Sequence, residues 1–151
     1  MKKIYICLLI LFLSSCGYSP IYEKTGTNNL TIVINNIEGN SEMNNLIKNQ
    51  IKLYSTGNSE NKFFVNIKSN LKKSVISKTS TGTTSNYELY VNAEFEITYK
   101  DKKDKFNYEE RFNIKNISDS FKQRNYEDVI KANFASSIRK KLILKLLSMK
   151  W

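Results

Sequence analysis

Catalysis by a small chain needs side chains that hold a metal, attack a substrate or move a proton. Few are present. Histidine is absent and there are two cysteines, Cys7 and Cys16. Zinc-type His/Cys clusters and base-activated nucleophiles therefore lack their parts, and no glycine-rich phosphate loop occurs. What remains is paired carboxylates, which could serve as acid and base: Glu94 with Glu96, or Glu109 with Glu110. Glu94 and Glu96 are two apart in an alternating segment, so they share the wet face of a strand, where solvated charge belongs. The expectation is a protein that is not an enzyme, with no metal and no cofactor beyond covalent lipid.

That lipid is read from Cys16. Residues 1–15 comprise a basic start (Lys2, Lys3), an apolar stretch from Ile4 to Leu13, and Ser14 and Ser15, which is the layout of a signal peptide. Ten apolar residues fall well short of the roughly 20 that a spanning helix needs. Leu13-Ser14-Ser15-Cys16 places an apolar residue and two small ones before the cysteine. The chemistry requires that order: the thiol accepts diacylglycerol, a peptidase that tolerates only small residues cuts before it, and the freed α-amine takes a further acyl chain such as palmitate. Cys7 leaves with the signal, so no intramolecular disulfide is possible. Gly17, in place of an aspartate that would retain the protein at the inner membrane, directs it to the periplasmic side of the cell outer membrane.

Loss of Lys2 and Lys3 lowers the basic side chains from 24 to 22 against 14 acidic ones, a net of +8. The alternation below puts Lys68, Lys72, Tyr90 and Arg111 on one wet face, a pattern that suits single-stranded nucleic acid. An exported lipoprotein rarely meets nucleic acid, and none is expected as a partner. The same groups suit phosphates on a glycolipid of the Gram-negative envelope, set against the blander reading of a solvated lysine-rich surface.

The elements that must position these groups follow from periodicity. Residues 16–29 read as a lipidated tether and 30–151 as a single domain, with no linker composition and no repeat. Leu30 to Ile34 is a strand. Met43, Leu46, Ile47, Ile51 and Tyr54 recur at helical spacing, predicting a helix over 42–54 capped by Asn40 or Ser41, with Gly57 beyond its end. Strands follow over 62–77, 86–99 and 106–114, joined by a reversal around Gly82 and a charged turn at Asp101 to Asp104. A longer helix is expected from a cap at Asn125, burying Tyr126, Val129, Ile130, Phe134, Ile138 and Leu142, with its apolar end packed against the sheet. The fold class is α+β: a two-layer sandwich with two helices on one face of a four-stranded, mostly antiparallel sheet of long meander strands.

Cys16-Gly17-Tyr18-Ser19-Pro20-Ile21-Tyr22 resembles the start of mature LptE-type LPS-assembly lipoproteins, and the segment from Asn125 to Leu142 resembles that family's closing helix. The resemblance runs over the whole mature chain and implies a non-catalytic plug that helps assemble the LptD β-barrel and binds lipopolysaccharide (LPS) during its delivery to the surface. It fixes no LPS contact residue by residue. Lys72, Lys73 and Lys78, near the tip of the long hairpin, are the candidates by charge and placement. The alternative is another small outer-membrane lipoprotein, a pilotin or an accessory subunit of a different envelope complex.

Overall fold

The computed structural model describes residues 30–55 and 59–149. Their order is β1 (Thr31–Gly39), α1 (Ser41–Ser55), β2 (Lys62–Lys78), β3 (Thr84–Tyr99), β4 (Lys102–Lys115) and α2 (Ser120–Ser148). The sheet runs β1-β2-β3-β4 in space. β1 is parallel to β2, which the α1 crossover permits, and the other two pairings are antiparallel. This is the α+β sandwich read from the sequence, with a mixed sheet.

Alternation decides the two faces. On β2, Phe63, Val65 and Ile67 are buried while Phe64, Asn66 and Lys68 are exposed. On β3, Leu89, Val91, Ala93, Phe95 and Ile97 are at most 1% exposed. Against this inner face lie Met43, Ile47 and Ile51 of α1 and Ile130, Phe134, Ile138, Leu142 and Leu146 of α2. At the foot of the sheet Phe63 stacks on Tyr99 at 4.4 Å between centroids, and the Tyr99 hydroxyl donates to Asn61 Oδ1 at 2.7 Å. β2 and β3 have 17 and 16 residues, so at about 3.3 Å per residue they reach roughly 50 Å. β1 accompanies β2 only as far as Ser69, and the upper half of the β2–β3 hairpin stands beyond it.

The β1–α1 corner is built on one close approach. Gly39, at φ +98°, lies against Ser69, and Asn40 N donates to Ser69 O at 3.0 Å. Asn40 Oδ1 then caps α1 by accepting from Met43 N at 2.9 Å, and the buried Ser69 hydroxyl donates to Asn44 Oδ1 at 2.7 Å. Gly57 lies outside the described residues.

Three expectations are corrected. α2 begins five residues before Asn125, because Asp119 supplies the cap: its Oδ1 accepts from Phe121 N at 3.0 Å and Lys122 N at 3.1 Å. Tyr126 and Val129 are 41% and 58% exposed. The inward stripe at that end is polar instead, with Gln123 buried and its Oε1 accepting from Ile117 N at 2.8 Å. The β3–β4 turn is Lys100 and Asp101, with Tyr99 paired to Lys102, so Lys102 to Asp104 belong to β4. The apolar end of α2 packs as expected at Leu142, Leu146 and Met149, while Leu144 is exposed; Trp151 lies outside the described residues.

Candidate functional site

The carboxylates come first. Glu94 and Glu96 share the outer sheet face, and Glu96 pairs with Lys105 at 2.8 Å. The Lys105 ammonium beside it holds the Glu96 carboxyl below the usual range, and Lys105 is correspondingly raised. Glu109 and Glu110 are adjacent in sequence, so the strand sends them to opposite faces. Glu109 accepts from Asn92 at 3.1 Å and Asn107 at 3.2 Å on the outer side. Glu110 accepts from the Tyr108 hydroxyl, which with Ser137 packs β4 against α2. Burial, then the neighbouring Glu110, pushes Tyr108 up to about 12. The adjacent pair is split by the sheet and the other is engaged with a lysine. No group of three or more metal-ligating side chains occurs among the described residues.

The three lysines near the hairpin are not brought together. Lys73 points inward: its Nζ is 2.5 Å from Glu127 Oε1 on α2 and 4.2 Å from the Tyr87 ring centroid. Burial pushes Glu127 upward, but hydrogen bonds from Lys73 and from Gln123 Nε2, the latter at 2.6 Å, outweigh it and hold the carboxyl below its ordinary value. Lys73 is thereby a tie between α2 and the sheet. Lys72, its neighbour, faces outward. Lys78 ends β2 opposite Thr84 and is exposed. Cys16, the expected lipidation residue, lies outside the described residues.

Register gives Lys72 its companions. Lys72 pairs with Tyr90, and Tyr90 with Arg111, so the three stand in one row across β2, β3 and β4. The Arg111 guanidinium lies over the Tyr90 ring at 4.8 Å. Glu88, at 3.9 Å from Arg111 Nη1, leaves most of the guanidinium's donors free. In the next row down, Asn92 joins Glu109 and Asn107 by hydrogen bonds of 3.1 Å. A guanidinium laid flat on an aromatic ring, beside a lysine and an amide network, can take an anionic oxygen by charge-assisted hydrogen bonds. The sequence placed Lys68, Lys72, Tyr90 and Arg111 on this face; the fold separates Lys68, which stands opposite Glu94, from the other three.

Related architectures exist among solved structures. The rare lipoprotein B of Shewanella oneidensis aligns with a TM-score of 0.60 at 18% identity, covering 81% of this chain and 96% of that one. A minor lipoprotein of Acinetobacter baumannii aligns at 0.55 and 7% identity, covering 82% and 93%. An uncharacterized lipoprotein B of Nitrosomonas europaea aligns at 0.50 and 10% identity, covering 76% and 78%. No family model and no curated protein matches the sequence. At these identities the likeness is one of fold: the chain has the two-helix, four-stranded architecture found in these bacterial lipoproteins.

Proposed function

We propose that this protein is a non-catalytic outer-membrane lipoprotein that plugs and helps assemble the LptD β-barrel and binds LPS as it is delivered to the cell surface. The observation that carries the reading is a coincidence of two independent signals. The lipidation tetrapeptide ends at Cys16, and the domain behind it shares its architecture with bacterial lipoproteins over 96% and 93% of their chains.

The parts fit such a role physically. Cys16 anchors the chain, and the 14 residues from 16 to 29 span up to roughly 50 Å when extended. Behind them stands a sandwich whose outer sheet face carries Asn70, Lys72, Ser74, Glu88, Asn92, Glu109 and Arg111, a mostly polar surface that suits the wet interior of a large barrel better than a lipid-facing position. On that face the Lys72–Tyr90–Arg111 row is the place where phosphate oxygens of LPS are held.

The test is affinity purification of the lipidated protein from native outer membranes. The expected result is an outer-membrane barrel of the LptD type in stable stoichiometry. Recovery of the lipoprotein alone, or with a different envelope complex, would replace this reading with that of a free-standing lipoprotein or an accessory subunit.

A further inference from the structure

Beside the edge strand, α1 overhangs a groove of about 450 Å³, lined by Ile32, Val33 and Ile34 of β1 and by Lys48, Asn49 and Lys52 of α1, with Ser55 at its end. That volume lies within the range of small-molecule sites, roughly 300–1,000 Å³. Its lining is divided in kind: the edge of β1 with the half-buried Ile34 below, two lysines one helical turn apart above.

The charge is what distinguishes it. The groove at the foot of the outer face is lined by Glu96 and Lys105, which satisfy each other at 2.8 Å. The groove beside the end of α2 holds Asp104 and Lys145, paired at 2.6 Å. The β1–α1 groove has no carboxylate in its lining, and Lys48 and Lys52 make no ion pair among the described residues. Like charges at i and i+4 on a helix oppose each other, and a bound anion relieves that repulsion.

We infer that this groove binds a single-chain anionic amphiphile, its acyl chain along the free edge of β1 at Ile34 and its head group between Lys48 and Lys52. The strand edge alone would accept any alkyl chain; the unmatched lysine pair selects one that ends in a negative charge, carboxylate or phosphate. The inference rests on the lipid-anchored reading only for the source of the amphiphile, which is the adjacent membrane. It is a different place from the Lys72–Tyr90–Arg111 row, which stands on the outer sheet face.

The test uses the chain from residue 16 onward carrying Cys16→Ser, so that no attached lipid competes; every described element lies within it. Binding of the fluorescent fatty acid cis-parinarate is measured, with displacement by palmitate, lysophosphatidylglycerol, lysophosphatidylcholine and inorganic phosphate. The expected result is saturable one-to-one binding, displaced about tenfold better by an anionic amphiphile than by the zwitterionic one, and not displaced by phosphate alone. The ranking of palmitate against lysophosphatidylglycerol assigns the head group. Lys48→Gln with Lys52→Gln abolishes the preference for the anionic head without lowering the melting temperature, while Lys103→Gln with Lys105→Gln leaves it intact. Non-saturable binding, equal displacement by both head types, or a preference that survives Lys48→Gln with Lys52→Gln overturns the inference. None of these outcomes depends on recovery of a barrel partner, so the two readings fail separately.

Discussion

Replacing Gly39 with alanine tests how the β1–α1 corner is held. A Cβ at Gly39 would stand 1.9 Å from Ser69 O and 3.0 Å from Ser69 C, and the residue sits at φ +98°. Relief to even the tightest contact that real Cβ atoms show requires the strand end to retreat by roughly 1 Å. That retreat pulls on three nearby bonds: Asn40 N to Ser69 O at 3.0 Å, the Asn40 cap on Met43 N at 2.9 Å, and the buried Ser69–Asn44 bond at 2.7 Å. The left-handed backbone costs a residue with a Cβ about 1–2 kcal/mol, a weakened cap about 1 kcal/mol and one disturbed buried hydrogen bond about 1 kcal/mol. The expected loss is about 3–4 kcal/mol, which lowers the melting temperature by roughly 10–20 °C for a domain of this size. Gly82→Ala is the control. Gly82 also has positive φ, at +82°, but nothing within 4 Å of its Cβ position, so it loses only the backbone part, about 1–2 kcal/mol. Thermal and urea unfolding followed by circular dichroism separates the two. Equal destabilisation would refute the close-approach account and leave backbone conformation as the whole effect.

Three further outcomes are expected. Glu127, held below its ordinary 4.5, contributes stability that is present above the unfolded-state pKa and lost as pH falls through the lower folded value; Glu127→Gln flattens the acid limb of the stability profile below about pH 4.5. Tyr108, pushed up to about 12, stays protonated where unfolded tyrosine ionises near 10, so stability falls as pH rises between about 10 and 12. Tyr108→Phe removes that fall, and absorbance at 295 nm checks it by losing one late-titrating tyrosine. Finally, Lys72→Ala with Arg111→Ala weakens LPS binding about tenfold with stability within about 0.5 kcal/mol. Lys73→Ala, which leaves Glu127 half-buried without its cation, lowers stability by about 1–3 kcal/mol and affects binding little; isothermal titration and urea unfolding on the same samples separate these roles.

The long hairpin and α1 were legible because their apolar residues recur without interruption at period two or at helical spacing, and the burial of Leu89, Val91, Phe95 and Ile97 or of Met43, Ile47 and Ile51 follows that pattern. The first turns of α2 were not. Tyr126 and Val129 keep helical spacing with Ile130, yet face outward. At that level the sheet presents Lys73 over Tyr87, so the side chain that goes inward is Glu127, which pairs with Lys73, with Gln123 donating to Glu127 beside it. An apolar stripe marks a helix only where its opposite surface is apolar too, and here the opposite surface could not be known from local sequence.

The candidate sites show the same limit in sharper form. Lys72 and Lys73 are adjacent and chemically identical, and strand geometry sends one to solvent beside Tyr90 and Arg111, the other into an ion pair 54 residues away. Lys131 reaches back to Glu42 at 2.7 Å, and Lys145 to Asp104 at 2.6 Å. The basic balance that the sequence displays as one diffuse quantity is therefore divided by the fold. Lys73, Lys131 and Lys145 spend their charge joining one element to another, each across a separation that no local pattern encodes. Lys48 and Lys52, and Lys72 with Arg111, are left on two different surfaces without a full complement of carboxylates. Net charge announces that anionic partners are compatible with the chain; only the pairing of acids across the fold identifies which cations remain for them, and that pairing points to the β1–α1 groove and the outer sheet face.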